Sequence, residues 1–554
     1  MIPANLPKSS LDLMGYAPKA VVHLRSQRKR KRLGLMFGAG LSMGLKFPSW
    51  NHLVRNLAEA SGVSAKVIFD KFLPPPPEEP AVERSLASIT HMLFGEFRQR
   101  KIEEGQKSGT FSNPITFLNE QRVRSLWLKL IHQVLYSGHK PEQCKETLRN
   151  HPYLEPYTQI IRDTPMTVNY NFDDSLEKLL YYSRTTEEKK KSRGFETTFR
   201  PTAQFQRESG VIYHPNGYLP SEFDDGSSPS VVFADDSFQD QLIDAAAGRY
   251  THLSSFMQRN TCLLIGLSLE DATLRSLLRK NALTSAGNVH YIVQYIEDDK
   301  ALDPDICRAL FESNFTAYNL ITLFLNDQGI RCLGELIRME DHAFEMDHPK
   351  ATKKFVYYIV GSIGAGKTTA TNNFRNLHTY DEWIEPRRSE LARPESELQP
   401  AEIKEVNEWI APQFRMKNYA LKNETEGVHL VDRWPLDPLT FGERSTVKNK
   451  AAELYRTVTD GEVAPIEQGH VIFLDGDIKE LKNRISYKHR YWDERQLQEL
   501  VDNIRAIYGS FDKSTISTAG KDIQDVIREI SHVIFREKYR PIDIGAQLKQ
   551  LGSP

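Results

Sequence analysis

At 554 residues the chain is well beyond the ~250–300 residues at which one hydrophobic core stops growing, so more than one domain is expected. Apolar residues make up 40% and charged residues 26%, an ordinary globular balance, and a formal net charge of -1 excludes a surface built to coat nucleic acid. No run of about 18 uninterrupted apolar residues offers a membrane span, and the opening Met-Ile-Pro-Ala-Asn lacks a secretory pattern, so a cytoplasmic location without membrane partners is expected. The cysteines, Cys144, Cys262, Cys307 and Cys332, are too widely spaced for a structural zinc knuckle and predict reduced thiols.

The first marked feature is the basic run Arg25-Ser-Gln-Arg-Lys-Arg-Lys-Arg32, expected to be a solvated helix face feeding a first strand, with an anionic partner site as the alternative. Short apolar strands then alternate with helical patterns: Leu33 to Phe37, Pro165 to Tyr170, Val211 to Tyr213, Val231 to Ala234, Thr261 to Ile265 and Val289 to Val293. Such alternation implies α/β architecture with a parallel, doubly wound sheet. A long helical insertion separates the first two strands and is broken by Pro74-Pro-Pro-Pro-Glu-Glu-Pro80, an extended exposed loop; its later helices are expected to cap the site. Glu187 to Lys191 reads as a charged surface segment. Charges gather again from Arg338 to Lys354, which places a domain boundary between residues 345 and 346. Further strands follow at Phe355 to Val360, Val428 to Val431 and Val471 to Leu474, with a weak one at Thr515 to Thr518, so residues 346–554 form a second doubly wound parallel-sheet domain.

Directly after Phe355 to Val360 stands Gly361-Ser-Ile-Gly-Ala-Gly-Lys-Thr368, a G-x-x-x-x-G-K-T loop in a strand-to-helix setting. Gly361, Gly364 and Gly366 let backbone amides cradle phosphates, Lys367 reaches the β and γ oxygens of ATP, and the Thr368 hydroxyl holds magnesium. A second glycine turn, Phe37-Gly-Ala-Gly-Leu-Ser42, follows Leu33 to Phe37. Alone it is compatible with a tight structural turn or with a pyrophosphate at a helix N-terminus.

Its company narrows the choice. Gly38-Ala-Gly-Leu-Ser42, Tyr170-Asn-Phe-Asp-Asp174, Tyr213-His-Pro-Asn-Gly217 and Leu264-Ile-Gly-Leu-Ser268 occur in the order that resembles the SIR2 family. With Leu269-Glu-Asp-Ala-Thr-Leu-Arg275 following, the chain most resembles the SIR2-like NAD hydrolases of bacterial anti-phage defence, over residues 30 to 335. The resemblance implies a Rossmann-like domain in which Gly38, Ala39, Gly40 and Ser42 form the NAD phosphate turn and Gly266 and Ser268 a ribose-side loop. Asn171 and Asp173 occupy the family's Asn-x-Asp positions, where an amide positions water and a carboxylate steadies the nicotinamide end as positive charge builds on the ribose. The same residues could instead cap the helix that follows. Where the family commonly has His-Gly, this chain has Asn216-Gly217, which leaves His214 as the candidate general base. Sirtuin deacetylases carry paired Cys-x-x-Cys motifs that are absent here, so hydrolysis is preferred over deacetylation.

From residue 353 to 545 the chain resembles deoxynucleoside and thymidylate kinases through the phosphate loop, Glu385-Pro386, Asp432-Arg433 and the basic stretch Arg484 to Arg495. The resemblance implies Glu385 as base toward a 5′-hydroxyl, Asp432 as a carboxylate for magnesium water or base chemistry, and Arg433 as a holder of the acceptor. It also implies a lid whose Arg484 and Arg490 bring cations over the transferring phosphate. Arg387 and Arg388 replace the family's apolar pattern after Glu-Pro and would suit a monophosphate acceptor, so nucleosides and monophosphates both stay open.

Together these features predict an anti-phage NAD hydrolase controlled by a nucleotide-sensing, kinase-like domain, using NAD, ATP and Mg2+ and deoxynucleotides as ligands. Its relatives imply control through a homo-oligomer. Two alternatives remain: a metabolic nucleoside or monophosphate kinase with a regulatory NAD-binding domain, and a non-enzymatic nucleotide-gated scaffold.

Overall fold

The computed structural model describes residues 2–553 apart from 4, 44, 46, 63–71, 73–84, 139–140, 184–194, 201–207, 223–227, 229–230, 249, 299, 301, 394–396, 442–443, 487–491 and 510. The Pro74 to Pro80 loop, the Glu187 to Lys191 run and Arg490 lie outside the described residues.

The first sheet contains β1 (Leu33–Phe37), β2 (Met166–Asn169), β3 (Glu196–Thr198), β4 (Val211–Tyr213), β5 (Thr261–Ile265), β6 (His290–Tyr295) and β7 (Leu320–Leu325). Their order is β3-β4-β2-β1-β5-β6-β7, and every pair is parallel. Because helices cover both faces, the central strands read as continuous apolar runs, and β1 and β5 are buried throughout. The chain winds to both sides of β1, toward β2 and toward β5. A crevice therefore opens at the carboxyl end of β1, where ligands of open α/β sheets bind.

The second sheet has β8 (Lys354–Gly361), β9 (His378–Tyr380), β10 (Gly427–Asp432), β11 (His470–Asp475) and β12 (Lys513–Ser517) in the parallel order β12-β11-β8-β10-β9. Here β8 holds the switch position, between β10 and β11, and the phosphate loop leaves its carboxyl end. The chain is thus α/β with two parallel sheets. Arg338 to Lys353, including the helix Asp341–Asp347, joins them.

Three expectations change. Val231 to Ala234 is not a strand: the Val232 amide donates to Asn216 O at 2.8 Å, and the Phe233 and Ala234 amides donate to Ser237 Oγ at 3.1 and 3.0 Å. Those bonds set the start of the helix Asp235–Ala246 and leave no ladder. The strands β3, β7 and β9 were not anticipated; β7, Leu-Ile-Thr-Leu-Phe-Leu, is buried along its whole length. The basic run, finally, is solvated only in part: Arg25 is buried, Arg28 and Arg30 are half-buried, and Lys29, Lys31 and Arg32 are exposed. It ends the helix Pro18–Lys29, in which Lys19 to Gln27 are all buried between the two sheets.

In the insertion, the helices Leu86–Lys107 and Phe117–Leu135 pack on each other and on the helix Trp50–Ser61. At the end of the second, Tyr136 Oη bonds to Asp174 Oδ1 at 3.2 Å, which brings the insertion to the edge of the crevice. Among the described residues no helix is long and apolar enough to cross a membrane.

Candidate functional site

The crevice of the first sheet is assembled from four strand ends. After β1, Gly38 N donates to Ile265 O at 3.1 Å and Gly40 N to Gly266 O at 3.0 Å, so the turn leaving β1 is sewn to the turn leaving β5. A Cβ at Gly38 would lie 2.5 Å from Gly266 O, and one at Gly40 would lie 2.8 Å from Gly266 Cα. Backbone packs on backbone there, and side chains are excluded. Ala39 opens the short helix Ala39–Met43, and Ser268 is exposed on the facing loop.

From the end of β2, Asn171 Nδ2 donates to Gly38 O at 3.0 Å and to Ser42 Oγ at 2.8 Å. Ser42 Oγ in turn donates to Asp173 Oδ2 at 2.9 Å. Asp173 Oδ1 accepts from the Ser175 amide at 3.0 Å and from the Ser175 hydroxyl. Burial pushes the Asp173 carboxyl upward, and the Ser175 and Ser42 bonds oppose that shift. The structure thus brings Gly38, Ser42, Asn171 and Asp173 into one connected group. Asn169, at the same strand end, leaves Nδ2 buried and without a hydrogen-bond partner among the described residues.

His214 is fully buried behind this group. Its Nδ1 lies 2.8 Å from Asn171 O and its Nε2 lies 2.9 Å from Glu177 Oε1. Both ring nitrogens thus face acceptor oxygens, an arrangement that favours the doubly protonated ring. Burial alone would lower its pKa, but the Glu177 charge and hydrogen bond outweigh it and the net direction is up. Glu177 is steadied by Thr197 Oγ1 at 3.1 Å. Asn216 is turned elsewhere: its Nδ2 reaches Tyr170 O at 3.4 Å and its Oδ1 accepts from Gln241 Nε2 at 3.0 Å. Sequence reasoning passed over Glu177 and Gln241. For Glu177 a signal existed, an acid inside the apolar stretch Leu176 to Leu180, which buries it on the helix Ser175–Tyr182.

In the second sheet, Gly361, Gly364 and Gly366 have φ of 145°, 83° and 93°, and a Cβ at Gly361 would meet Leu474 O at 2.4 Å. The loop delivers Lys367 to the start of the helix Lys367–Asn373, where Nζ donates to Gly361 O at 2.7 Å and Ser362 O at 2.9 Å. Burial, reinforced by Arg433, lowers its pKa to about 8. Thr368 is exposed, with Oγ1 3.4 Å from Glu382 Oε2. At the end of β10, Asp432 is fully buried, with Lys367 and the Thr368 hydroxyl as its polar neighbours. Burial raises its pKa against the pull of Lys367. A buried carboxylate beside a buried ammonium and an exposed threonine hydroxyl fits a magnesium-bound phosphate.

Arg433 takes the left-handed φ of 65°, and its side chain lines a cavity of about 70 Å³. There it pairs with Glu382 Oε1 at 2.7 Å and Asp437 Oδ2 at 3.3 Å. Trp383, Phe414, Phe441 and Trp492 supply aromatic walls and Arg387 a cation. Glu385 does not line this cavity. Its Oε2 accepts from Trp409 Nε1 at 2.7 Å and Gln413 Nε2 at 2.9 Å, and the carboxylate facing the phosphate loop is Glu382. Arg484 is tied to the loop after β12, donating to Thr518 O at 3.0 Å.

A family model described as a SIR2-like domain matches residues 165–333. This segment is a SIR2-like domain. It contains Asn171, Asp173, His214, Gly266 and Ser268, while β1 and the Gly38 to Ser42 turn precede it and complete the sheet between β2 and β5. No curated protein matches the chain. Among solved structures the chain is similar to deoxyadenosine kinase from M. mycoides with bound dATP, at 16% identity over 32% of this chain and 96% of that one, with a TM-score of 0.24. The same enzyme with the products dCMP and dCDP gives 18% identity, the same coverage of 32% and 96%, and a TM-score of 0.26. The phosphate-binding character of the second sheet rests on the loop from Gly361 to Thr368 itself.

Proposed function

We propose that the chain is an NAD glycohydrolase, residues 1–345, governed by a nucleotide-sensing domain, residues 346–554. The observation that carries the first half is the connected group Asn171–Ser42–Asp173 at the switch point of a SIR2-like sheet. NAD would lie with its pyrophosphate against the Gly38 to Ser42 turn and its ribose toward Gly266 and Ser268. Water attacks the ribose carbon as the bond to nicotinamide breaks, giving ADP-ribose, nicotinamide and a proton. Asn171 spends Nδ2 on Gly38 and Ser42, which leaves Oδ1 to orient the water. The released proton passes through the Ser42 hydroxyl to Asp173, whose burial already favours the protonated form. His214 has no free lone pair in this arrangement; it holds the Asn171 backbone in place.

ATP with Mg2+ would occupy Lys367, Thr368 and Asp432, with a nucleoside or its monophosphate in the adjoining aromatic cavity. The pairing of a NAD-consuming site with a nucleotide-sensing one, and the resemblance to defence hydrolases, support a role in arresting phage-infected cells. Separating nicotinamide and ADP-ribose after incubation with NAD, with and without ATP and deoxynucleotides, tests the activity. Intact NAD under every condition refutes it. Comparing phage yield in cells carrying the wild type or Asn171→Ala tests the role.

The aromatic cavity around Arg433 favours a second reading, catalytic phosphoryl transfer with NAD as a regulator. ADP formation dependent on an added nucleoside or monophosphate, without NAD loss, would select it.

A further inference from the structure

Neither site uses the helix Pro18–Lys29, yet it touches both sheets along its length. Toward the first sheet, His23 Nδ1 lies 2.9 Å from Tyr291 Oη of β6, and the Arg25 guanidinium donates to Leu336 O and, at 2.7 Å, to Met339 O. The helix then passes through Arg30 to Arg32 into β1, whose last residue precedes the Gly38 turn. Toward the second sheet, Gln27 Nε2 donates to Asn376 O at 2.7 Å and Ser26 Oγ lies 2.7 Å from His378 Nε2. Arg25 Nε and Lys29 Nζ hold Glu426 at 3.1 and 2.6 Å.

These contacts fall at the far ends of the two elements whose near ends form the phosphate site. Asn376 follows the helix Lys367–Asn373, which Lys367 opens; Glu426 precedes β10, which Asp432 closes. A helix of 7 residues and a strand of 6 are short, stiff rods, so a displacement at one end appears at the other. Little slack remains beside them: a Cβ on Gly287, just ahead of β6, would come within 2.4 Å of Asn373 O. Both rods also have a reason to move. Phosphate would draw Lys367 from the carbonyls of Gly361 and Ser362, and a cation would pull on the buried Asp432 carboxylate.

We propose that the helix Pro18–Lys29 couples the two sites, so that a magnesium nucleoside triphosphate at Lys367 and Asp432 sets the arrangement of the Gly38 to Ser42 turn through this helix and β1. Such a ligand must bind one arrangement better than the other, since equal affinity shifts no population. Its effect on the turn is independent of the NAD reading; only its effect on NAD cleavage rests on that reading.

The test uses the full chain as wild type, Gln27→Leu and Glu426→Gln, each checked for ATP affinity by calorimetry. Hydrogen exchange at the Gly38 and Gly40 amides reports the junction they make with Ile265 and Gly266. Expected is a change in their protection on adding ATP with Mg2+ to the wild type, lost in both variants while ATP affinity is kept. Where NAD is cleaved, the ratio of rates with and without ATP should fall from the ~5–150-fold typical of coupled sites toward one. No change in the wild type, or a change that survives in both variants, overturns the proposal. An exchange response without NAD cleavage upholds the coupling and refutes the NAD reading.

Discussion

Glu177 Oε1 lies 2.9 Å from His214 Nε2, and the other ring nitrogen lies 2.8 Å from Asn171 O, so a buried ion pair supports the backbone of the residue that would orient water. The His214 pKa is raised in the folded chain above 6.5. Its stabilisation is therefore fully present below the unfolded value of about 6.5 and lost as pH rises through the folded value. Thermal melting should show the wild type losing stability across that alkaline window, and Glu177→Gln should flatten the dependence. A wild type and variant with parallel pH profiles would refute the pairing. Cleavage of NAD by Glu177→Gln should drop by up to about 10²-fold, the cost of misplacing a reacting group by ~1 Å.

Asn171→Ala should leave the fold intact, because the buried Asp173 still accepts from Ser42 and Ser175. NAD cleavage should fall by about 10²–10³-fold, as expected for removing one preorganised polar group from a transition state. Circular dichroism and product chromatography on the same preparation check both halves. Activity within a few-fold of wild type would remove Asn171 from the mechanism.

Lys367, lowered to about 8 by burial and Arg433, should regain its full charge against the phosphates of ATP. Above about pH 8, binding must therefore take up a proton, and affinity should weaken as pH rises further. Calorimetry in two buffers of different ionisation enthalpy measures that uptake. Lys367→Ala should abolish it and weaken binding; unchanged uptake in the variant would assign the proton elsewhere.

If phosphoryl transfer occurs, Glu382 and not Glu385 should govern it, because Glu382 lines the cavity beside Arg433 while Glu385 is bound by Trp409 and Gln413. Glu382→Gln should slow ADP formation by about 10²–10⁴-fold, the usual contribution of a general base. Glu385→Gln should cost far less. The reverse ranking would return the base to Glu385.

Arg25→Met breaks a buried pair with Glu426, whose side chain is only 6% exposed. Removing one partner of a buried pair costs about 3–5 kcal/mol, and the remaining Lys29 contact places this variant near the lower end. Denaturant unfolding monitored for each sheet would show the loss in both, since the helix packs between them.

The sequence by itself determined both glycine loops and the strands that precede them, because these depend on local rules. A turn that tolerates no Cβ needs glycine, and a strand covered on both faces needs an unbroken apolar run. It also placed Asn171, Asp173 and Ser42 in motifs that the fold brings together. Side-chain partners decided the rest. Arg25, at the head of an otherwise largely solvated basic run, is buried because its counter-charge Glu426, 401 residues away, meets it in space. The partners of His214, Asn171 O and the Glu177 carboxylate 37 residues earlier, are likewise assembled only by the fold. Glu385 and Glu382, three residues apart on one connection, are told apart by which of them the helix Pro400–Asn423 captures through Trp409 and Gln413. Charge and hydrogen bonding act over a few ångströms of space and not along the chain, so the protonation and direction of these groups belong to the tertiary structure.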